Sequence, residues 1–163
     1  MHFSCFKDPD PEPEPLLSNR TGCVFCNVTH DKGFDVVYED AELIAFRDRW
    51  PRAAGHLLVI PRTHLGTVFD LRAEHVELVT RMKECGLALA PGATKLGFHI
   101  PPFSSVHHLH LHVFTPPFTA LGRMMYPVHS RGHGKGWSWF VSADQAIAIL
   151  QSGARIRLGA SKR

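Results

Sequence analysis

His108-Leu109-His110-Leu111-His112-Val113-Phe114 alternates an imidazole with an apolar residue three times, then runs into a wholly apolar pair. Strand side chains project to opposite faces in turn. An extended backbone here sets His108, His110 and His112 in a row on one side, with same-face neighbours about 6.5–7 Å apart. Leu109, Leu111 and Val113 face the other way and supply core surface. Buried imidazoles cost free energy unless each finds a partner. Packing alone gives no reason for three of them, so the row marks a working site. Three chemistries use such a row: ligation of a metal by neutral imidazole, general acid–base transfer near neutral pH, and attack on phosphorus by a ring nitrogen.

The sequence around the row supplies the rest of a sheet. Residues 106–114 and 96–100 are predicted as strands. Pro101-Pro102-Phe103-Ser104-Ser105 between them cannot continue a ladder, because two of its residues lack an N–H. Val36-Val37-Tyr38 and Leu43-Ile44-Ala45-Phe46, separated by Glu39-Asp40-Ala41-Glu42, read as a β-hairpin. His56-Leu57-Leu58-Val59-Ile60 is a near-continuous apolar strand stopped by Pro61. Asp70 is the expected N-cap of a helix running to about Ala90, with Val79, Met82, Gly86 and Leu89 as its packing stripe. Residues 129–136 read as an exposed, glycine-rich cationic loop, and residues 137–141 as a strand with Trp137, Trp139 and Val141 on one face. Ser142 with Gln145 three residues on opens a last short helix. The expected class is α+β: a mainly antiparallel sheet with one long and one short helix.

At 163 residues, 44% hydrophobic and 20% charged, the chain has the composition of one ordinary folded domain. No run approaches the roughly 18–20 apolar residues that span a bilayer, so no membrane partner is expected. Met1–Phe6 is short and mixed, and alternating Pro and acidic residues follow at 8–15, which is not a secretory leader. A cytoplasmic location is expected, with the nucleus open to so small a chain. Residues 1–20 are predicted to be a disordered tail, 21–151 the folded domain and 152–163 a basic tail. A net charge of +3 is too weak to argue for a nucleic-acid partner. Cys23-Val24-Phe25-Cys26 has the spacing of a metal clasp or a redox pair. Two small packed hydrophobes are the other reading.

The row of alternating histidines resembles the signature of the histidine triad (HIT) nucleotide hydrolases and transferases. The likeness extends over about residues 22–150. It takes in Phe46-Arg47-Asp48, Ala54-Gly55-His56-Leu57-Leu58-Val59-Ile60-Pro61-Arg62-Thr63-His64, and Gly97-Phe98-His99-Ile100-Pro101-Pro102-Phe103 with Ser105. These last residues look like the type 3 branch of the histidine triad nucleotide-binding (Hint) proteins, adenosine 5′-monophosphoramidases.

That resemblance implies a HIT-like fold and a nucleotide phosphoramidate hydrolase that releases AMP and an amine through a nucleotidyl-histidine intermediate. It implies His110 as the nucleophile and His112 on the phosphate oxygens. Ser105 would stand near the leaving group and His56 behind the triad. Asp48 would bind the ribose hydroxyls and Phe46 line the base pocket of a purine nucleotide. A structural zinc ion would be held by Cys23, Cys26, His64 and His108, with no cofactor required for catalysis. A homodimer or larger homo-oligomer is also implied. Hydrolysis of dinucleoside polyphosphates or of adenylated nucleic-acid ends, or a non-catalytic nucleotide-binding adaptor, are the alternatives. Many relatives carry an Asn and a Gly-Gly-Gln-Ser run ahead of the triad, where this chain has Gly97 and Pro102-Phe103-Ser104-Ser105. Leaving-group preference therefore does not carry over. His30, His75, His99 and His133 read as surface or satisfied residues.

Overall fold

A computed structural model describes residues 22–131 and 134–160. The tail expected at 1–20, His133 and the last three residues lie outside them.

The expected hairpin is present as β1 (Val36–Glu39) and β2 (Leu43–Arg47), paired antiparallel. Asp40 makes its turn, because Oδ1 accepts the backbone N–H groups of Glu42 and Leu43, each at 2.7 Å. Along the chain follow β3 (Ala53–Pro61), α1 (Val76–Leu89), β4 (Lys95–His99), β5 (Leu111–Phe118) and α2 (Ala120–Met125). A two-stranded ribbon of β6 (Ser130–Arg131) and β7 (Gly134–Lys135) precedes β8 (Phe140–Ser142) and α3 (Ala143–Gln151). Six strands form one sheet in the order β1-β2-β3-β5-β4-β8, each neighbouring pair antiparallel. The α+β class holds. Among the described residues no helix is long and apolar enough to cross a membrane.

Alternation along the central strands divides the sheet into two chemistries. Val59, Leu109, Leu111 and Val113 join Val79, Met82, Ala146 and Ile149 in the core under α1 and α3. Gly86 lets α1 lie against β5, since a Cβ there would come within 2.7 Å of a Val113 methyl. Gly97 does the same for β8, because its Cβ would collide with the Val141 carbonyl and the Phe140 ring. The opposite face carries two smaller clusters, one around Phe25, Phe46, Leu58 and Ile60, the other around Phe114, Tyr126 and Phe140. The histidines lie between those two.

Several boundaries differ from expectation. The strand expected at 106–114 starts at Leu111 and runs on to Phe118. Leu109 stands outside the ladder, its N–H donating to the Leu65 carbonyl in a loop at 2.6 Å. Asp70 does not cap α1, because its Oδ2 accepts the Thr67 N–H at 2.8 Å within its own turn. The helix begins at Val76, after a single 3-10 turn at Ala73–His75. Trp137 and Trp139 do not share a buried face with Val141; they are 69% and 38% exposed, and β8 starts only at Phe140. The segment expected as an exposed loop at 129–136 contains the β6–β7 ribbon, and Lys135 within it is buried. The Lys135 ammonium donates to the carbonyls of Gly136, Leu158 and Gly159 at 2.9–3.0 Å, and Ile156 packs into the main core. Helix α2 has no counterpart in the sequence reading. Its signal was Thr119, whose Oγ1 accepts the Gly122 N–H at 3.0 Å as an N-cap.

Candidate active site

β5 places His112 opposite Leu58 of β3, while His56 of β3 stands opposite Phe114. His110 immediately precedes the strand. Its Nδ1–H donates to the backbone carbonyl of His108 at 2.7 Å. This assignment leaves Nε2 with its lone pair free of a proton. Burial pushes the His110 pKa down to about 4, offset only in part by the His108 carbonyl, so the ring is neutral at pH 7.

The neighbouring ring takes the opposite tautomer. The Arg52 backbone N–H donates to Nδ1 of His56 at 3.3 Å, which leaves the His56 proton on Nε2. That Nε2–H donates to Nδ1 of His112 at 2.9 Å. His112 must then carry its own proton on Nε2, an atom that is buried and without a hydrogen-bond partner. Burial also pushes His56 down to about 4, and holds His112 well below the ordinary histidine range. Asp48 Oδ2 lies 3.5 Å from His56 Nε2, while Oδ1 accepts the Trp50 N–H at 2.7 Å. Side by side stand a nitrogen with a lone pair and a nitrogen with a proton. That is the complement a phosphoryl group needs.

Both rings open into a cavity of about 850 Å3. Phe46 lines it, held edge-on by Phe25 at 5.3 Å and Phe34 at 5.1 Å, and Phe25 in turn lies 5.5 Å from the His110 ring. Asp48 and Ser105 also line it, Ser105 from an exposed rim position. His56 stands behind His112 rather than in the cavity wall. The structure thus gathers the six expected catalytic and nucleotide-binding residues about one chamber. It adds His99, which the sequence reading treated as a satisfied or surface residue. His99 Nε2–H donates to the Met125 carbonyl at 3.0 Å, its ring stacks on Tyr126 at 4.6 Å, and it meets His112 edge-on at 5.0 Å. The available signal was register: β4 pairs Gly97 with His112, so a residue two positions along β4 returns to the same face beside the triad.

The remaining triad member belongs to a different cluster. His108 Nδ1 lies 3.4 Å from Cys23 Sγ and 3.6 Å from Cys26 Sγ, and His64 Nδ1 lies 3.3 Å from Cys26 Sγ. All four donor atoms fall within 4.8 Å of one another, so the cluster could hold a metal ion. The His108 Nε2–H donates to the Pro61 carbonyl at 2.8 Å, which turns the Nδ1 lone pair toward the sulfurs. A backbone acceptor behind a ligating imidazole is the usual outer support of a metal site. Two thiols and two imidazoles are a closed tetrahedral donor set suited to zinc.

The profile of the family described as "Scavenger mRNA decapping enzyme C-term binding" matches residues 22–126. The chain is 36% identical over 141 residues to adenosine 5′-monophosphoramidase HINT3 of Xenopus tropicalis, covering 80% of this chain and 88% of that one. It is 42% identical over 104 residues to the Arabidopsis thaliana bifunctional adenosine 5′-phosphosulfate phosphorylase/adenylylsulfatase HINT4, covering 59% and 71%. Among solved structures, a HIT family hydrolase from Legionella pneumophila Philadelphia 1 superposes with a TM-score of 0.54 at 31% identity, over 58% of this chain and 93% of that one.

Proposed function

This chain belongs to the histidine triad (HIT) family, and from that premise we propose that it hydrolyses nucleoside 5′-phosphoramidates to a nucleoside monophosphate and an amine. The observation that carries the reading is the pair of opposed tautomers, lone pair on His110 Nε2 and proton on His112 Nε2. His110 Nε2 attacks the α-phosphorus, and the P–N bond to the amine breaks as the N–P bond to the histidine forms. The nitrogen that leaves takes up a proton, and in this reading Ser105, which lines the cavity, passes it from solvent. His112 Nε2–H donates to a non-bridging oxygen, where charge builds in the transition state. Water then attacks phosphorus, the bond to His110 breaks, and its electron pair returns to Nε2. The water's proton leaves with solvent. Phe46 and its aromatic neighbours take the base, for which a purine is the natural occupant, and Asp48 Oδ2 takes a ribose hydroxyl.

The Cys23, Cys26, His64 and His108 cluster holds a structural zinc ion in this reading. The Nδ1 atoms of His64 and His108 that face the sulfurs, and the His108 ring aligned by the Pro61 carbonyl, support it. Zinc there would fix the loop that carries His108, as a structural support and not as a reactant.

Rapid quench of the protein during turnover of AMP-NH2, followed by mass spectrometry, tests the mechanism. An AMP adduct on His110 is the expected result, together with loss of turnover in His110→Ala that still binds AMP. Full activity in His110→Ala would refute it.

A further inference from the structure

Charge is divided unevenly along the chain. From Cys85 to Arg163 the lone acidic residue is Asp144, and its Oδ1 lies 2.5 Å from the Lys83 ammonium. The same stretch holds five arginines and three lysines. It also forms an exposed aromatic row. Phe103 is 50% exposed, and its ring centroid lies 5.3 Å from that of Trp139. Trp137 is 69% exposed while Ser138, between the two tryptophans, is buried, so both indoles turn outward. The Trp139 Nε1–H donates to the Met125 carbonyl at 3.0 Å, which pins that ring by its polar edge. A Cβ on Gly159 would stand 3.6–3.9 Å from three adjacent atoms of the Trp137 ring. One face of that indole therefore rests on the backbone, and the other is left to solvent. Cations flank the row at both ends. Arg123 is exposed on α2, two residues before Met125. Ile156 is buried and Leu158 packs on the main core, which turns Arg155 and Arg157 outward just ahead of Gly159.

We propose that the chain's own segment Asp8-Pro9-Asp10-Pro11-Glu12-Pro13-Glu14-Pro15 docks along this row, prolines on the aromatic rings and carboxylates toward the flanking arginines. The segment lies outside the described residues, but the fold receives it at a suitable place. Gly22, Ser105, Val106 and His107 line one groove of about 440 Å3, and Phe103 stands two residues before Ser105. Seven steps separate Pro15 from Gly22, an extended reach of about 23–25 Å. Alternate prolines favour the polyproline II form, in which residues 8–15 span about 22 Å at 3.1 Å per residue. The row matches that length. One ring contact joins Phe103 to Trp139, and a two-residue step of at most about 7 Å leads to Trp137. Gly159 lies under that ring, and a second such step leads to Arg157. Aromatic surfaces take polyproline II segments at low entropic cost because the conformer is preset. Four carboxylates facing a basic surface add charge complementarity, and the tether makes the contact intramolecular. A nucleic acid would satisfy the arginines, but this segment supplies prolines and carboxylates together. Phe103 also lines the chamber, so the docked segment borders its mouth.

The full chain labelled with 5-fluorotryptophan tests the contact by 19F NMR, because Trp50, Trp137 and Trp139 give one signal each. Trp50→Phe, Trp137→Phe and Trp139→Phe assign the signals. One variant removes the charges, through Asp8→Asn, Asp10→Asn, Glu12→Gln and Glu14→Gln. A second removes the rings, through Pro9→Ser, Pro11→Ser, Pro13→Ser and Pro15→Ser. Both are expected to shift the Trp137 and Trp139 signals and to leave that of Trp50 in place, which also reports an intact fold. In the parent, about 1 M NaCl should reproduce the shift of the charge variant, since the Debye length falls to about 3 Å. A response to one variant alone, or to neither, overturns the docking. Movement at Trp50 instead also overturns it, and would place the segment beside Lys32 and Arg49 on the chamber wall. Parent signals that move on dilution would assign the row to the segment of a second copy. Signals that answer to oligothymidylate but to neither variant would assign it to nucleic acid. Either result overturns the intramolecular contact.

Discussion

The backbone carbonyl of His108 holds the Nδ1–H of His110 at 2.7 Å, while the ring of the same His108 points Nδ1 at the sulfurs of Cys23 and Cys26. One residue therefore serves two clusters. Its main chain fixes the tautomer of the nucleophile, and its side chain can be fixed by a metal.

Removing the metal should accordingly be felt at the triad. Cys26→Ser is expected to purify with less than half the zinc of the parent, to melt at lower temperature, and to lose about tenfold in kcat/KM, the scale of outer-support losses. Metal analysis beside a melting curve and a rate assay checks this. A zinc-free parent with full activity would remove the coupling.

His56 sets the proton on His112 without facing the cavity. His56→Leu should leave KM for AMP-NH2 within about threefold and lower kcat about a hundredfold, since removing one well-placed donor to the developing charge costs that much. A change confined to KM would place His56 in substrate binding instead.

The pH behaviour follows from burial. His110 and His56 both fall to about 4 in the folded protein, against about 6.5 in an unfolded chain. Protonation thus favours the unfolded state, so stability is full above pH 6.5 and declines as pH drops from 6.5 toward 4. Each ring contributes a loss on the order of 3 kcal/mol over that window at 1.36 kcal/mol per unit. The acidic limb of kcat/KM should lie below pH 5, not near 6.5. Urea midpoints and initial rates across pH 4–8 measure both.

Lys135 gives a prediction remote from the chemistry. Lys135→Met leaves the carbonyls of Gly136, Leu158 and Gly159 short of their donor. A loss of about 2–4 kcal/mol is expected, lowering Tm by roughly 5–15 °C with kcat at 25 °C unchanged. A shift of less than 2 °C would mean that water replaces the ammonium.

The elements with a strong period were legible in the sequence. The β1–β2 hairpin, the apolar strand ending at Pro61, the stripe on α1 and the Ser142–Gln145 capping box all came from local pattern. What escaped was decided by tertiary partners. Asp70 had the chemistry of a cap, but the Thr67 N–H lay closer. Leu109 fits the strand alternation, yet its N–H goes to Leu65, far back along the chain. Lys135 read as a solvated cation because nothing local announces three carbonyls arriving from two directions. For the site, side-chain type picked out the triad and the Cys pair. His99 enters only through the pairing of β4 with β5, which no single-segment pattern contains.

β8 lies along the outer side of β4 and is three residues long. The sheet therefore finishes on a rim too brief to template another strand, the protection that exposed sheet margins generally need. A further strand arriving on this side would find only Phe140, Val141 and Ser142 to pair with.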